Sequence, residues 1–317
     1  MFNDIRKGRL FVRMIKTIRN KTMLQASRLF KPFLLVSSIF ILVILPASCV
    51  SGSGVRSDAG GRRIVTVGGS VTETAYALGA DDEIIGTDTS SVFPEKATKL
   101  PQVGYQRRLS PEGVLSLKPT MLLTTSLAGT PTALNQIESA GVKVEKVAND
   151  NSVEGAKVQI RQIARVLDRV DKGDELIQRL DADLRKAREC VDSLAAKPKP
   201  NVLFIHARGA SVVNVAGLNT AGDEMIKLSG GVNVISEFEG YKPMTAETIV
   251  SVAPDLIVLP ERSLASIGGK DGLLKMPGIA ETPAGKTGRI VTIDDLLLLG
   301  FGPRLGIAIN ELCRKMR

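Results

Sequence analysis

Between residues 63 and 317, short apolar runs alternate with stretches whose apolar positions recur every three or four residues. Arg63–Val67, Ile84–Gly86, Val142–Val147, Val202–Ile205 and Arg289–Ile293 read as strands, and Val71–Leu78, Leu134–Ala140, Thr220–Leu228 and Gly306–Met316 as amphipathic helices. One unit occurs twice: Leu109–Leu123 matches Met244–Val258 at a constant offset of 135 residues. In each copy a Ser or Thr, Ser110 or Thr245, caps a helix with one apolar face; Pro119 or Pro254 then stops it and an apolar strand follows. The repetition divides this part of the chain into two α/β lobes with parallel sheets, from 62 to 150 and from 198 to 317.

Residues 151–197 separate the two halves. From Ser152 to Ala195 there is no proline and only two glycines, and apolar residues keep helical spacing throughout. The pattern predicts two helices meeting near Lys172-Gly173, the second of about 21 residues and about 30 Å long. Lys197-Pro198-Lys199-Pro200 ends it. At the start of the first lobe, Gly68-Gly69-Ser70 turns the chain into a helix, and Ser70 with Glu73 reads as a capping box. Backbone N–H groups there can hold an anion, but the capping box accounts for the residues by itself.

Residues 1–48 stand apart from this organisation. Arg28 and Lys31 precede an apolar run, Phe33–Leu45, and Pro46-Ala47-Ser48-Cys49 follows, the pattern of an export signal. The run is short for a spanning helix, which needs ~20 apolar residues. Met23 begins a leader of ordinary length, which makes it the expected start. The small-small-Cys ending resembles a lipoprotein signal, with Cys49 as the lipidated first residue; a plain secretory signal and an uncleaved anchor are the alternatives. Residues 49–61, rich in Gly, Ser and charge, read as a flexible tether.

The leader also changes the charge balance. The chain has 42 Lys and Arg against 33 Asp and Glu, a net of +9. Residues 1–48 carry nine of the basic and one of the acidic residues, which leaves 33 against 32 for the remainder. The basicity therefore belongs to the leader, and no nucleic-acid partner is expected. Cys190 and Cys313 both fall in helical patterns. In an exported protein they can pair or remain two buried thiols.

Candidate chemistry concentrates in Val103-Gly104-Tyr105-Gln106-Arg107-Arg108-Leu109-Ser110, in a chain with three tyrosines, no tryptophan and one histidine. A tyrosinate is a hard oxygen donor that can hold ferric haem iron. A guanidinium two residues on favours the phenolate and pairs with carboxylates. The alternative is a surface loop with solvated arginines. In the second half, His206, Arg208 and Arg262 fall at or just after strand ends, where α/β folds bind ligands. His206 is either a core histidine or a possible metal ligand; Arg208 either meets an anion or solvates its loop; Arg262 either faces a cleft or pairs with Glu261. Gly-x-Ser-x-Gly, Walker A and His-Glu-x-x-His motifs are missing, which argues against an enzyme.

The whole of 63–317 resembles the substrate-binding proteins of bacterial ABC importers for cobalamin, siderophores and haem. The matching stretches are Ile64-Val65-Thr66, Ser70-Val71-Thr72-Glu73, Ala77-Leu78-Gly79, Leu100-Pro101-Gln102-Val103-Gly104, the two repeated helices, and Asn219-Thr220 to Gly230-Gly231. The resemblance implies two α/β lobes joined by one long rigid helix, with a ligand cleft between them. The Tyr-x-Arg loop is most similar to the haem-binding branch, which implies haem as the transported ligand, Tyr105 as axial iron ligand, and Arg107, Arg208 and Arg262 around it. A siderophore or cobalamin is the alternative cargo. Some haem-binding relatives supply a histidine from the second lobe, but the slot nearest Gly209 holds Arg208. Glu112 and Glu247, in the first turns of the repeated helices, match glutamates presented to an inner-membrane permease dimer with its ATPase. The family implies a monomer in the periplasm or cell envelope, here with a lipid anchor.

Overall fold

The computed structural model describes residues 61–194 and 198–317; the expected export signal, Cys49 and all of the tether but Gly61 lie outside the described residues. The first half runs β1 (Ile64–Val67), α1 (Gly69–Ala77), β2 (Ile84–Thr87), α2 (Glu95–Thr98), β3 (Gly104–Tyr105), β4 (Arg108–Leu109), α3 (Pro111–Ser116), β5 (Met121–Thr125), α4 (Pro131–Ser139) and β6 (Lys143–Val147). Two helices follow, α5 (Val153–Val166) and α6 (Val170–Leu194). The second half runs β7 (Asn201–Ala207), β8 (Val213–Ala216), α7 (Ala221–Leu228), β9 (Val232–Asn233), β10 (Tyr241–Lys242), α8 (Ala246–Ser251) and β11 (Leu256–Pro260). It ends with α9 (Glu261–Ser266), α10 (Gly269–Leu274), α11 (Pro283–Thr287), β12 (Ile290–Ile293), α12 (Asp295–Leu299) and α13 (Leu305–Met316). Among the described residues, no helix is long and apolar enough to cross a membrane.

The first sheet is four-stranded, in order β2-β1-β5-β6, and parallel throughout. The second has the path β10-β8-β7-β11-β12 with β9 on β7. Its β7, β11 and β12 are parallel, but β8 and β10 join antiparallel, an edge that the apolar pattern does not reveal. β8 (Val213–Ala216) is four residues long and β10 (Tyr241–Lys242) two, too short for a strand pattern to stand out. The internal repeat is reproduced residue for residue: α3 and α8, and β5 and β11, have bounds that differ by 135 at both ends. Ser110 Oγ accepts from Gly113 N–H at 3.1 Å and Thr245 Oγ1 from Thr248 N–H at 3.3 Å. Even the backbone before each proline matches, with Lys118 and Ala253 both at positive φ, 49° and 42°.

Alternation along the strands decides where the cores lie. Ile64, Met121 and Leu123 of the first sheet point into the same buried cluster as Val202, Phe204, Leu256 and Val258 of the second. Their neighbours Val65, Val67 and Leu122 enter a separate core in the first half, and Leu203, Ile205, Ile257 and Leu259 one in the second. The shared cluster is filled by Ile160 and Ile163 of α5, Leu176, Leu180 and Ala187 of α6, and Leu305, Ile309 and Leu312 of α13. A period-two strand has two faces; here one face of each sheet is covered by the same helical layer, so the connecting helices belong to both lobes at once.

Three local expectations change. The break between the long helices falls at Leu167–Arg169, where Asp168 has φ 55°, rather than at Lys172-Gly173. Gly173 lies inside α6 because a Cβ there would sit 2.6 Å from Ala164 Cβ of α5; the glycine permits helix contact instead of ending a helix. The second helix is accordingly 25 residues long, about 37 Å. Cys190 and Cys313 form a disulfide that ties α6 to α13 across 123 positions. Closing a loop of that size contributes roughly 5 kcal/mol in the chain-entropy account, and it suits an oxidising compartment.

The Ser70–Glu73 capping box does not form. Helix α1 begins two residues earlier, its N-cap is Gly68, and no side chain caps it. Glu73 instead makes a two-pronged ion pair with Arg304, at 2.6 and 3.0 Å, 231 positions away. The Glu73 side chain is only 5% exposed, and the Arg304 guanidinium also lies 3.7 Å over the Phe93 ring. Burial pushes the Glu73 carboxyl above its ordinary value, and Arg304 opposes that rise. Arg304→Met would leave a buried, unpaired carboxylate, and the expected loss at neutral pH is about 3–5 kcal/mol. The folded-state value then rises further above the unfolded one, so the folded variant binds the extra proton and recovers stability as pH falls through that range. Urea unfolding of both proteins from pH 7 down to pH 5 checks it; a constant deficit contradicts this account.

Candidate functional site

The parallel strands of both sheets end at one cleft. Gly68 follows β1, Thr89 follows β2, Thr125 ends β5, Ala207 ends β7, Arg262 follows β11 and Asp295 follows β12; all six residues line one cavity of about 470 Å³. A second cavity, of about 600 Å³, is contiguous with it. The two share Tyr105, Gln106, Asn149, His206, Arg208 and Leu299. Cavities of this size suit a single sizeable organic ligand, and carboxyl ends of strands are where open α/β sheets bind one.

Tyr105 stands at the junction because of its hairpin. β3 and β4 pair antiparallel around the two-residue turn Gln106-Arg107. Val103 and Leu109, on either side, are buried in the core of the first half. Gly104 O accepts from Thr89 N–H at 2.9 Å, and Gln106 O from Gly129 N–H at 2.8 Å. The apolar anchors and these bonds fix the base of the hairpin and leave its polar tip in the cleft.

The guanidinium that reaches the Tyr105 oxygen is not that of Arg107. Arg208, from the end of β7, donates to Tyr105 Oη at 2.9 Å, and its guanidinium carbon lies 5.2 Å from the ring centroid. The contact crosses from one lobe to the other. Arg107 sits in the hairpin turn and lines the second cavity only; among the described residues no bond links it to Tyr105. A two-residue turn carries successive side chains away from each other, so sequence proximity did not translate into contact. Arg262 opens α9 and lines the first cavity, with its backbone N–H donating to Asp295 Oδ2 at 3.0 Å. The pair with Glu261 is absent, and among the described residues none of Arg107, Arg208 and Arg262 makes a salt bridge.

His206 faces both cavities from β7 and is half-buried, unlike its strand neighbours Ile205 and Ala207. Its ring lies 5.7 Å from that of Tyr241 on β10. Burial, and then the charge of Arg208, push its imidazole below the ordinary histidine value. Tyr241 escaped the sequence reading because β10 has no apolar pattern; its rarity, as one of three tyrosines, was the only signal. Its oxygen is tucked against the start of α7, accepting from Gly222 N–H at 3.3 Å, and burial there pushes its phenol up. Asp88 was also missed. It is fully buried, and its carboxylate accepts from Gly68 N–H, Ser90 N–H and the hydroxyls of Ser90 and Ser91 at 2.6–3.0 Å, which shapes the cavity floor.

Glu112 and Glu247 are far from this chemistry. Each lies fully exposed in the first turn of its helix, and neither lines the two cleft cavities. Hydrogen bonding to its own backbone N–H, and then to the capping hydroxyl, holds each carboxyl below its ordinary value.

With the fold and cleft in place, the comparisons with known proteins agree with them. This chain belongs to the periplasmic binding protein family, which matches residues 64–297. It is similar to the structure of the periplasmic heme-binding protein RhuT from Roseiflexus sp. RS-1 in its apo form. The identity is 40% and the TM-score 0.78, over 81% of this chain and 98% of that one. It is also 28% identical to the ABC transporter substrate-binding lipoprotein YvrC of Bacillus subtilis, over 80% of each chain. A vitamin B12-binding protein of Vibrio vulnificus is 25% identical over 79% of this chain and 88% of its own.

The single histidine offers a direct test of the cleft's electrostatics. The His206 imidazole should titrate with a midpoint below 6.5, and Arg208→Ala should raise it, both read from its one pair of ring-proton NMR signals. Because the folded-state value is depressed, the unfolded chain takes the proton first, and His206 makes stability fall as pH drops below the ordinary histidine value. A midpoint above 6.5 contradicts the burial argument.

Proposed function

We propose that this protein captures haem in the cleft between its lobes and delivers it to an inner-membrane ABC importer. The observation that carries this reading is the position of Tyr105, whose oxygen sits where the two cavities meet and is held by an arginine from the opposite lobe. Phenol oxygen is a ligand for ferric haem iron. Arg107, Arg208 and Arg262 ring the cleft, and among the described residues none of their guanidinium groups is paired with a carboxylate, which suits a ligand that brings its own carboxylates into a confined space. Leu296 and Leu299 in the wall, with exposed Leu127 and Val212 at the second cavity, supply apolar surface for a flat macrocycle. The likeness to RhuT supports haem as the ligand.

In this reading Tyr105 is the axial ligand. Arg208 orients its oxygen, Arg262 and Arg107 meet propionates, and neutral His206 stands opposite as a second possible donor. Purified protein titrated with hemin should give a saturable Soret change. Tyr105→Phe should abolish the phenolate-to-iron charge-transfer band and weaken binding, and Arg208→Ala should weaken it about tenfold through loss of a hydrogen bond to a charged group. An unchanged spectrum and affinity in Tyr105→Phe removes the axial role. A flat hemin titration with tight cobalamin binding replaces haem with the second reading, which the likeness to the vitamin B12-binding protein favours.

Delivery requires docking, and Glu112 and Glu247 supply one exposed carboxylate per lobe on equivalent helices. Two pseudo-equivalent lobes fit a permease of two like subunits, and lipidation at Cys49 would hold the protein at the membrane, as in the lipoprotein YvrC. Glu112→Lys with Glu247→Lys should leave hemin affinity intact and cripple uptake in proteoliposomes that contain the cognate importer. Normal uptake by the double variant reduces these carboxylates to helix stabilisers.

A further inference from the structure

Tyr241 is set in the cleft the wrong way round for a tyrosine. The side chain joins an apolar ring to a polar tip, and it ordinarily hides the ring and keeps the hydroxyl at water. Here the oxygen is the enclosed end. It accepts from Gly222 N–H at 3.3 Å, and burial pushes the phenol above its ordinary value. The residue as a whole is nevertheless 39% exposed and lines the 600 Å³ cavity. With its tip engaged, the side chain offers that cavity its ring.

The backbone holds the ring in place. Tyr241 pairs with Ala216 of β8. Just before it, Gly240 N–H donates to Leu218 O at 3.0 Å and Gly240 O accepts from Gly217 N–H at 2.9 Å. Lys242, next along the strand, belongs to the other face and lies over the Phe238 ring. Among the described residues the aromatic neighbour of Tyr241 is His206, 5.7 Å away and tilted by 55°, a contact that does not stack on its face.

A second observation points to the same cavity. Among the described residues eight large apolar side chains are exposed, and three of them, Leu127, Val212 and Tyr241, line this one space. Leu127 comes from the loop after β5 in the first lobe, and Val212 immediately precedes β8 in the second. Single exposed apolar residues are ordinary on a protein surface, whereas several that converge in one concave site mark a ligand.

We infer that the Tyr241 ring, with Leu127 and Val212 beside it, is a stacking platform that takes the face of a flat aromatic macrocycle and recognises the ring system rather than a metal at its centre. A porphyrin as that macrocycle rests on the proposed function; the platform itself uses neither iron nor Tyr105. The cleft then has two separable sources of selectivity, Tyr105 for the metal and Tyr241 for the ring around it.

Hemin and metal-free protoporphyrin IX, followed by Soret absorbance and by porphyrin fluorescence, are titrated into purified wild type, Tyr241→Leu and Tyr241→Phe. Leucine keeps apolar bulk without a flat face, and phenylalanine keeps the face. The side chain is exposed, so both variants should fold, which thermal unfolding checks. Tyr241→Leu should weaken both ligands by the same factor, about tenfold, and leave the phenolate-to-iron charge-transfer band of bound hemin in place. Tyr241→Phe should restore most of that loss for both. Equal affinity of wild type and Tyr241→Leu for both ligands overturns the platform while the haem reading stands. A loss confined to hemin also overturns it, because Tyr241 then acts through the iron site. If hemin gives no saturable change but the metal-free ring binds wild type and loses affinity in Tyr241→Leu, the platform stands and the haem reading falls. Failure of both ligands to bind wild type removes both.

Discussion

The shared hydrophobic layer between the two sheets is the constraint on which the rest depends. Ile160, Ile163, Leu176, Leu180, Leu305 and Leu312 pack with β1 and β5 residues of the first half and with β7 and β11 residues of the second in one buried cluster. A linker that only spanned the gap would leave the lobes free to swing, as modest interfaces between domains usually do. Here moving one lobe against the other would open a close-packed core, in which each exposed side chain costs about 1.5–3 kcal/mol. The Cys190–Cys313 bond fastens α13 onto α6 within this layer. The Glu73–Arg304 pair joins α1 to the start of α13 near the cleft floor.

A rigid base gives the cleft its chemistry. Because both sheets present their strand ends to the same space, residues far apart in sequence converge without a dedicated scaffold of their own. Tyr105 and Arg208 meet across 103 positions, and each is fixed by its own lobe: the hairpin by Val103 and Leu109, the Arg208 loop by Ser263 and Ser266, whose hydroxyls accept from Ala207 and Gly209 N–H groups. The cross-lobe contact itself is exposed and contributes little to stability. Its importance is positional, since it holds a phenol oxygen toward open volume rather than toward protein.

Misreadings of the sequence share one cause. Ser70 and Glu73 have capping-box spacing, and Gly173 has the composition of a helix break, but each was claimed by a partner outside the local window. Arg304, 231 positions away, took Glu73; the Cβ of Ala164 on α5 required the glycine. Arg107 lost its place beside Tyr105 to Arg208 for the same reason. Local rules describe what a segment favours by itself, and a buried ion pair or helix crossing carries enough free energy to override a preference of about 1 kcal/mol.

Amino-acid order alone determined the two-lobe plan, the register of the repeat, the caps at Ser110 and Thr245, and the concentration of candidate chemistry at Tyr105. These depend on periodicity, turn residues and rarity, which are properties of short windows. Only the tertiary structure decided that Cys190 meets Cys313, that His206 faces a cleft instead of a core, that Tyr241 belongs to its wall, and that buried Asp88 holds Gly68 and Ser90 from behind it. It also decided that the first helix begins uncapped. Those outcomes depend on which side chains long-range packing brings together, and on which polar groups burial leaves without water, neither of which is encoded in spacing along the chain.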